Sequence, residues 1–310
     1  MREFKIDFNK ALKPTLIIYG IIFLVGIILA MPFAFGINLD INFSGGTKIS
    51  YSYTGDIKDA DIKTVVDEHI KKDYSLTKST ALAGDTKTFE LALSGKSALS
   101  AEAQEKLGAA LSEKFAENEV EIYNSNSVSP TIAGAFFLKS LVAVIITAIL
   151  VVIYVGFRFR KIGGISAALT ALCALVFDIL VTFFVCVIFR LQIDSNYIAV
   201  ILTILGYSLN DTIVIYDRIR ENSRLNPQME IGQLVNMSVN KVMIRNIVTT
   251  VTTILAVLTI VVVSELYGLT SLRTFAIPMA FGLLSGSISS IFVSGPVWVI
   301  WKRYRASKQK

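Results

Sequence analysis

The sequence predicts a polytopic α-helical membrane protein with six transmembrane helices and one α+β domain outside the membrane. Hydrophobic residues make up 53% of the 310 residues and charged residues only 17%, and the apolar residues are gathered in six long runs. A soluble domain carries roughly 25% charged residues. Lipid must therefore solvate much of the surface of this chain.

Each apolar run is long enough to cross ~30 Å of hydrocarbon as a helix. We expect spans at Thr15–Phe35, Ala133–Gly156, Gly163–Phe189, Tyr197–Tyr216, Ile247–Val263 and Thr274–Trp301. Residues 217–246 are expected to form an amphipathic cytoplasmic connection, and residues 1–14 and 302–310 to form cytoplasmic tails. The first run begins like a signal peptide, but it exceeds the usual length of about 7–15 apolar residues, which favours an uncleaved helix.

Lysines and arginines are concentrated beside four of the predicted helix ends. Seventeen of them lie in residues 1–14, 158–161, 217–246 and 302–310, whereas the two other short connections have one each, Arg190 and Arg273. Cytoplasmic loops carry an excess of basic residues, so we expect both termini in the cytoplasm. The formal net charge of +6 is then a sign of membrane orientation, and no nucleic-acid partner is expected.

Residues 36–130 differ in character from the spans, with fifteen acidic residues, ten lysines and no arginine or cysteine. Long loops cross the membrane whatever their charge, so this domain is expected to be extracytoplasmic (periplasmic). Alternation and helical spacing predict six elements in the order β-α-β-β-α-β. They are Lys48–Thr54, Lys58–Ile70, Ser75–Ala83, Lys87–Ser94, Ala98–Phe115 and Val120–Ser127, with a hairpin turn at Gly84-Asp85. This order is that of the ferredoxin-like split motif.

Ionisable residues inside apolar spans are candidate functional residues, because a charge at a helix centre costs about 2.5–3.5 kcal/mol on insertion scales. Asp211 shares a helical face with polar neighbours that include Asn210. Arg245 opens the next span on a face with Thr249. Asp178 lies midway along the third span. The fourth and fifth spans run antiparallel, so the side chains of Asp211 and Arg245 could meet.

Structural alternatives stay open for each candidate. Arg245 can be a flanking cation that extends to the headgroups, and Asp178 can be a hydrogen-bonded packing residue. Threonines after Arg245 can serve helix packing, as can the four-residue stripe Gly282, Gly286, Ser290 and Ser294, because small residues let helices approach closely. For Asp211, a packing role is harder to reconcile with the cost of its polar surroundings.

Three passages carry a resemblance to the SecF family of the bacterial protein-export machinery, within the resistance-nodulation-division superfamily. Leu39–Thr47 resembles the pattern D-x-x-F-x-G-G-T, which here supplies Asp40, Phe43, Gly45 and Gly46. Gly206–Asn222 resembles G-Y-S-x-N-D-T-x-V-x-x-D-R-x-R-E-N, the longest of the three. Ser238–Thr253 resembles a run of S-x-N, an arginine and T-T-x-T-T.

The resemblance implies an accessory subunit in the bacterial cytoplasmic (inner) membrane that is not an enzyme. It implies SecD, YajC and the SecYEG channel as partners, and use of the proton-motive force on a translocating preprotein. It also implies that Asp211 and Arg245 form the proton-coupling pair. Many relatives have His-Asp where this chain has Phe177-Asp178, so the role of Asp178 stays open.

Two other functions fit the same layout. One is half of an exporter of small molecules or lipids from the same superfamily, and the other is a scaffold subunit that carries no ions. Cys173 and Cys186 lie ~20 Å apart on one helix, too far for a disulfide. No cofactor or metal is expected, because the sequence has no Cys/His set for a metal site and His69 is the single histidine.

Overall fold

The structure is a computed structural model that describes residues 6–31, 34, 36–70, 74–80, 87–94 and 99–308. Its elements in chain order are α1 (Phe8–Ala30), α2 (Ile41–Ser44), β1 (Gly46–Tyr53), α3 (Asp59–His69), β2 (Ser75–Thr80), β3 (Lys87–Ser94), α4 (Ala101–Lys114), β4 (Glu121–Val128), α5 (Pro130–Arg158), α6 (Gly164–Ile188), α7 (Ser195–Leu225), α8 (Ile231–Tyr267), α9 (Thr270–Ser289) and α10 (Gly295–Lys308). Within those ranges, six helical segments are long and apolar enough to cross a membrane. The chain is thus a multi-pass membrane protein with a separate α+β domain.

The predicted α+β domain forms a four-stranded antiparallel sheet in the order β2-β3-β1-β4. With α3 after β1 and α4 after β3, this is the ferredoxin-like arrangement that the sequence predicts. Each strand begins or ends within a few residues of its predicted bounds. The predicted hairpin turn at Gly84-Asp85 lies outside the described residues.

One face of the sheet is buried under α3 and α4. In β1, Ile49, Tyr51 and Tyr53 alternate with half-buried residues. They pack with Phe89 of β3 and with Leu107 of α4 in one apolar core. Alternation therefore sets the register of this strand, because a shift by one residue would turn the apolar set toward solvent.

The connection expected at residues 217–246 is mostly helical in the structure. The helix α7 continues to Leu225 and α8 begins at Ile231, so only five residues, 226–230, join them. Ion pairs one turn apart support the polar end of α7, with Arg218–Glu221 at 2.6 Å and Arg220–Asp217 at 2.8 Å. Hydropathy marks where the apolar surface ends, and these two helices extend well beyond that point.

The short loop between α7 and α8 is fixed to the end of the chain. Glu230 caps α8 by accepting a hydrogen bond from the backbone N–H of Gln233. The same carboxylate forms an ion pair with Arg303 at 2.7 Å, and this hydrogen-bonded guanidinium lowers the pKa of Glu230. The hairpin of α7 and α8 is therefore held against α10.

The last segment joins α9 and α10 through a π-helical stretch at Ser290–Ser294. Pro296 has no N–H to donate to the carbonyl four residues earlier, which favours a local change of helix type. Upstream, Gly282 lies where α9 crosses α6 and α7. A Cβ atom there would stand 2.1 Å from Ile204 and 2.7 Å from the hydroxyl of Thr182, so any other residue would have to displace these side chains. The predicted packing role of this position is confirmed.

Candidate functional site

Two contacts fix how α7 and α8 lie against each other. Tyr207 and Thr253 are hydrogen-bonded through their hydroxyls at 3.0 Å, and the amide of Asn222 donates to the hydroxyl of Ser238 at 2.8 Å. The same number of residues separates the two contacts on each helix, so they share one antiparallel register. In this register Asp211 is level with Thr249.

Arg245 lies one helical turn beyond Asp211 in the same register. A helix rises ~1.5 Å per residue, which gives an axial offset of ~6 Å. Asp211 is buried, with 3% of its surface exposed, whereas Arg245 is exposed and lines a cavity with Val214 of α7. In the described part of the chain, no ion pair within 4 Å joins the two residues. The structure brings them to adjacent turns of facing helices and not into direct contact.

Unpartnered polar groups surround Asp211. Its carboxylate oxygen Oδ2 is buried and has no hydrogen-bond partner among the described residues. The side-chain nitrogen of Asn246 and the hydroxyl of Thr250 are buried on α8 and likewise lack a described partner. Buried polar groups are rarely left unpaired, so these three mark an unsatisfied polar patch at the contact of α7 and α8.

Asp178 has the opposite environment. It is fully buried, and its carboxylate accepts hydrogen bonds from three serine hydroxyls. The donors are Ser208 of α7 at 2.7 Å, Ser285 of α9 at 2.7 Å and Ser289 of α9 at 3.0 Å. Tyr19 of α1 is in turn 3.1 Å from the hydroxyl of Ser285. Asp178 therefore joins four helices at the centre of the bundle.

Two further hydroxyls, those of Ser290 and Thr212, lie beside this cluster. Ser290 donates to the backbone carbonyl of Ser208 at 3.1 Å, and its hydroxyl is 2.9 Å from that of Thr212. Thr212 directly follows Asp211 in the sequence. No hydrogen bond between described residues joins the Asp211 carboxylate to this cluster.

Sequence reasoning missed Ser208, Ser285 and Ser289. The available signal was the four-residue spacing of Ser285 and Ser289, which places both on one face of α9. Only the neighbouring stripe of glycines and serines was interpreted, as packing. Serines in membrane helices pack and hydrogen-bond equally well, so the spacing alone does not identify the acceptor.

The predicted supporting residues Asn210 and Thr249 face outward. Both are exposed in this chain, as are Thr203 and Gly206 on the same side of α7. The hydroxyl of Thr249 donates to the carbonyls of Arg245 and Asn246, at 2.9 Å each. These residues form an open polar face on apolar helices, which we call the α7–α8 face.

The residues of the D-x-x-F-x-G-G-T signature have structural contacts. Asp40 caps α2 by accepting from the backbone N–H of Asn42 at 3.0 Å, and Phe43 packs on Phe136 at a ring distance of 5.3 Å. Gly45 and Gly46 have φ of 74° and 130°, which residues with a Cβ rarely adopt. The signature therefore forms the junction between the sheet and α5.

The family is decided by the C-terminal two thirds of the chain. The sequence model described as "Protein export membrane protein SecD/SecF, C-terminal" matches residues 108–304. The chain belongs to this SecD/SecF family. Membership confirms the resemblance to SecF that the three motifs carry, and the matched region includes both buried aspartates.

Several members of the SecD/SecF family are similar over much of this chain. A protein translocase subunit SecF from a Synechocystis species is 34% identical over 214 residues, which cover 68% of this chain and 65% of that protein. SecF of Sebaldella termitidis is 36% identical, covering 62% of this chain and 60% of that protein. The matches thus span less than two thirds of these relatives' own length.

Longer members of the SecD/SecF family contain a similar region. The translocase subunit SecDF of Bacillus subtilis is 37% identical over 184 residues, which are 58% of this chain and 24% of that protein. The crystal structure of SecDF from Thermus thermophilus, a translocon-associated membrane protein, aligns with 97% of this chain and 39% of its own. Its TM-score is 0.81 and its identity is 26%. The whole fold described above therefore recurs within SecDF.

Proposed function

We propose that this chain is an accessory subunit of protein export that, with a SecD partner, uses the proton-motive force to complete preprotein translocation through SecYEG, with YajC nearby. The observation that carries this proposal is Asp211, a buried carboxylate with an oxygen that lacks a described partner. An ionisable group in such a position on a membrane helix is costly. A role in carrying protons gives a reason for the cost.

The α7–α8 face supports a second membrane half as partner. Asn210 and Arg245 are exposed on helices that are otherwise apolar, where lipid would leave their polar groups unsatisfied. Transporters commonly pair two repeats around a site near the midplane. SecDF proteins, which contain a region similar to this chain, suggest SecD as the second half.

The distribution of lysines and arginines supports the sidedness that this function needs. Both termini and the loop between α7 and α8 would lie in the bacterial cytoplasm, with the α+β domain outside. Cysteine labelling from each side of the membrane tests this. A cysteine in α4 that reacts only with a reagent applied from the cytoplasmic side would contradict the orientation.

Coupling would use the offset between Asp211 and Arg245. Protonation makes the Asp211 side chain neutral and suits it to its buried position. After the proton leaves, an axial shift of one turn between α7 and α8 would bring the guanidinium of Arg245 level with the carboxylate. Each proton that moves down the field supplies about 2.3 kcal/mol per 100 mV. Through α8 and the α2 junction, this work would reach the outer domain and the emerging chain.

The decisive test is Asp211→Asn in vesicles that hold this chain, its SecD partner and SecYEG. The amide keeps the shape of the side chain but cannot exchange a proton, so proton flux and proton-driven export should be lost while the complex still assembles. Arg245→Lys keeps the charge but loses the planar fork, and should lower both rates.

Glu265→Gln is a matched control, since it removes a carboxylate of α8 that pairs with Arg273 at 3.1 Å, far from the α7–α8 face. It should leave flux and export unchanged. Full export with Asp211→Asn would refute proton coupling at this site and favour a scaffold role. Export of a small apolar molecule without a preprotein would favour the exporter alternative.

A further inference from the structure

A basic cavity of about 730 Å³ opens between the polar ends of α7 and α8. Five cations and two carboxylates are among its lining side chains. Two of the cations are neutralised locally, because Arg218 pairs with Glu221 at 2.6 Å and Arg220 pairs with Asp217 at 2.8 Å. The cavity therefore retains an excess of positive charge.

The excess comes from Arg224, Lys241 and Arg245. No carboxylate lies within 4 Å of any of these three cations in the described ranges. Lys241 and Arg245 stand one turn apart on α8, and the ammonium of Lys241 is 3.5 Å from the side-chain oxygen of Asn222. Like charges around one cavity repel one another. A bound anion would remove this repulsion.

The surroundings of the cavity indicate which anion fits. Leu225 at its edge is 68% exposed, and the neighbouring Ile244 and Val248 of α8 are 42% and 54% exposed. The cations thus border directly on an apolar surface of a membrane-spanning helix. A ligand with a phosphate beside hydrocarbon chains matches both parts, since guanidinium groups bind phosphate oxygens in a fork.

We propose that this cavity binds the phosphate headgroup of an anionic phospholipid, with the acyl chains along the apolar surface of α8. Basic cavities between transmembrane helices recognise anionic headgroups in this way. The test of this proposal does not depend on proton coupling, because it changes Arg224 and Lys241, which have no part in the proposed coupling, and leaves Arg245 unchanged. Lipid binding and proton flux can therefore fail separately.

Native mass spectrometry of the full chain in neutral detergent tests the proposal. Phosphatidylglycerol and phosphatidylcholine are added at equal concentrations, and the dissociation constant of each lipid is measured. We expect tighter binding of phosphatidylglycerol. Each cation near the headgroup contributes about fivefold to affinity, so Arg224→Gln with Lys241→Gln should weaken phosphatidylglycerol binding by about 25-fold.

Arg160→Gln with Lys161→Gln is a matched control. This pair also removes one arginine and one lysine, both exposed near the end of α5, but neither lines the cavity. It should leave lipid binding unchanged. Arg224→Lys with Lys241→Arg keeps both charges and should retain the preference for phosphatidylglycerol. This variant distinguishes a loss of charge in the cavity from a loss of folding.

Three outcomes would overturn the proposal. One is equal affinity for the two lipids, and another is an equal loss of binding in the two charge-removing double variants. The third is complete displacement of phosphatidylglycerol by inorganic phosphate, which would assign the cavity to a soluble phosphate compound.

Discussion

Removal of the Asp178 carboxylate should show how much the central serine cluster contributes to stability. Asp178→Ala takes away the acceptor of all three hydroxyls, those of Ser208, Ser285 and Ser289. Asp178→Asn keeps one oxygen acceptor of the same size and adds an N–H₂ donor. Because a serine hydroxyl can rotate to accept, the amide keeps at least two of the three bonds.

The size of the effect follows from the number of bonds. Side-chain hydrogen bonds between membrane helices average about 0.6 kcal/mol each. Asp178→Ala should thus lower the free energy of unfolding by about 2 kcal/mol through lost hydrogen bonds, with a further loss from the cavity. Asp178→Asn should cost about 0.6 kcal/mol at most.

The assay is reversible unfolding of the full chain in mixed micelles with increasing sodium dodecyl sulfate, followed by tryptophan fluorescence. Trp298, which is buried on α10, reports on the bundle. Ser285→Ala should cost about 0.6 kcal/mol. Ser287→Ala is its control, because Ser287 is also buried on α9 but makes no described bond to Asp178.

A double variant makes the test specific. If the hydroxyl of Ser285 stabilises through the carboxylate, Ser285→Ala should cost less once Asp178 is alanine, and the remaining cost comes from its contact with Tyr19 at 3.1 Å. An Asp178→Ala variant whose free energy of unfolding is unchanged would refute the reasoning. So would a Ser287→Ala variant that costs as much as Ser285→Ala.

Three further predictions concern packing and the outer domain. Gly282→Leu should lower the unfolding free energy by about 1–3 kcal/mol through overpacking against Ile204. Gly134→Ala is the control and should not destabilise, because nothing lies within 4 Å of its new Cβ. Equal losses in the two variants would contradict the close packing of α9 on Ile204 at Gly282. Gly45→Ala should lower the unfolding free energy by about 1–3 kcal/mol, because the φ of Gly45 is 74°. The measurement uses the same micelles, and an unchanged unfolding free energy would contradict a positive φ at Gly45. Residues Asn38–Ser129 expressed alone should unfold in one cooperative thermal transition by circular dichroism, and a disordered spectrum would mean that the sheet needs the membrane part.

The elements of the outer domain could be predicted from the sequence because each strand has one buried face. In β1, the alternation of Ile49, Tyr51 and Tyr53 with polar residues determines both strand and register. The ends of α7 and α8 could not be predicted in this way. Their polar turns beyond the apolar run are stabilised by ion pairs such as Arg218–Glu221 and by the contact of Asn222 with Ser238, which hydropathy does not register.

The candidate site was also predictable in part. A carboxylate in an apolar helix is a strong signal, so Asp211 and Asp178 both stood out. Their environments did not follow, since the partners of Asp178 come from serines on two other helices that have no charge to mark them. That Asn210 faces outward while Asp211 is buried depends on how α7 is rotated in the bundle, which a helical period alone leaves undetermined.

The π-helical stretch at Ser290–Ser294 has a consequence for the helix that contains it. In a straight α-helix each residue turns ~100°, so residues four apart drift by ~40° per step. Gly282, Gly286, Ser290 and Ser294 would drift by ~120° in total, enough to turn the last toward another neighbour. The wider turn compensates for this rotation, and all four residues are buried. The π turn thus rotates Ser294 back toward the direction of Gly286, which a straight α-helix would not do.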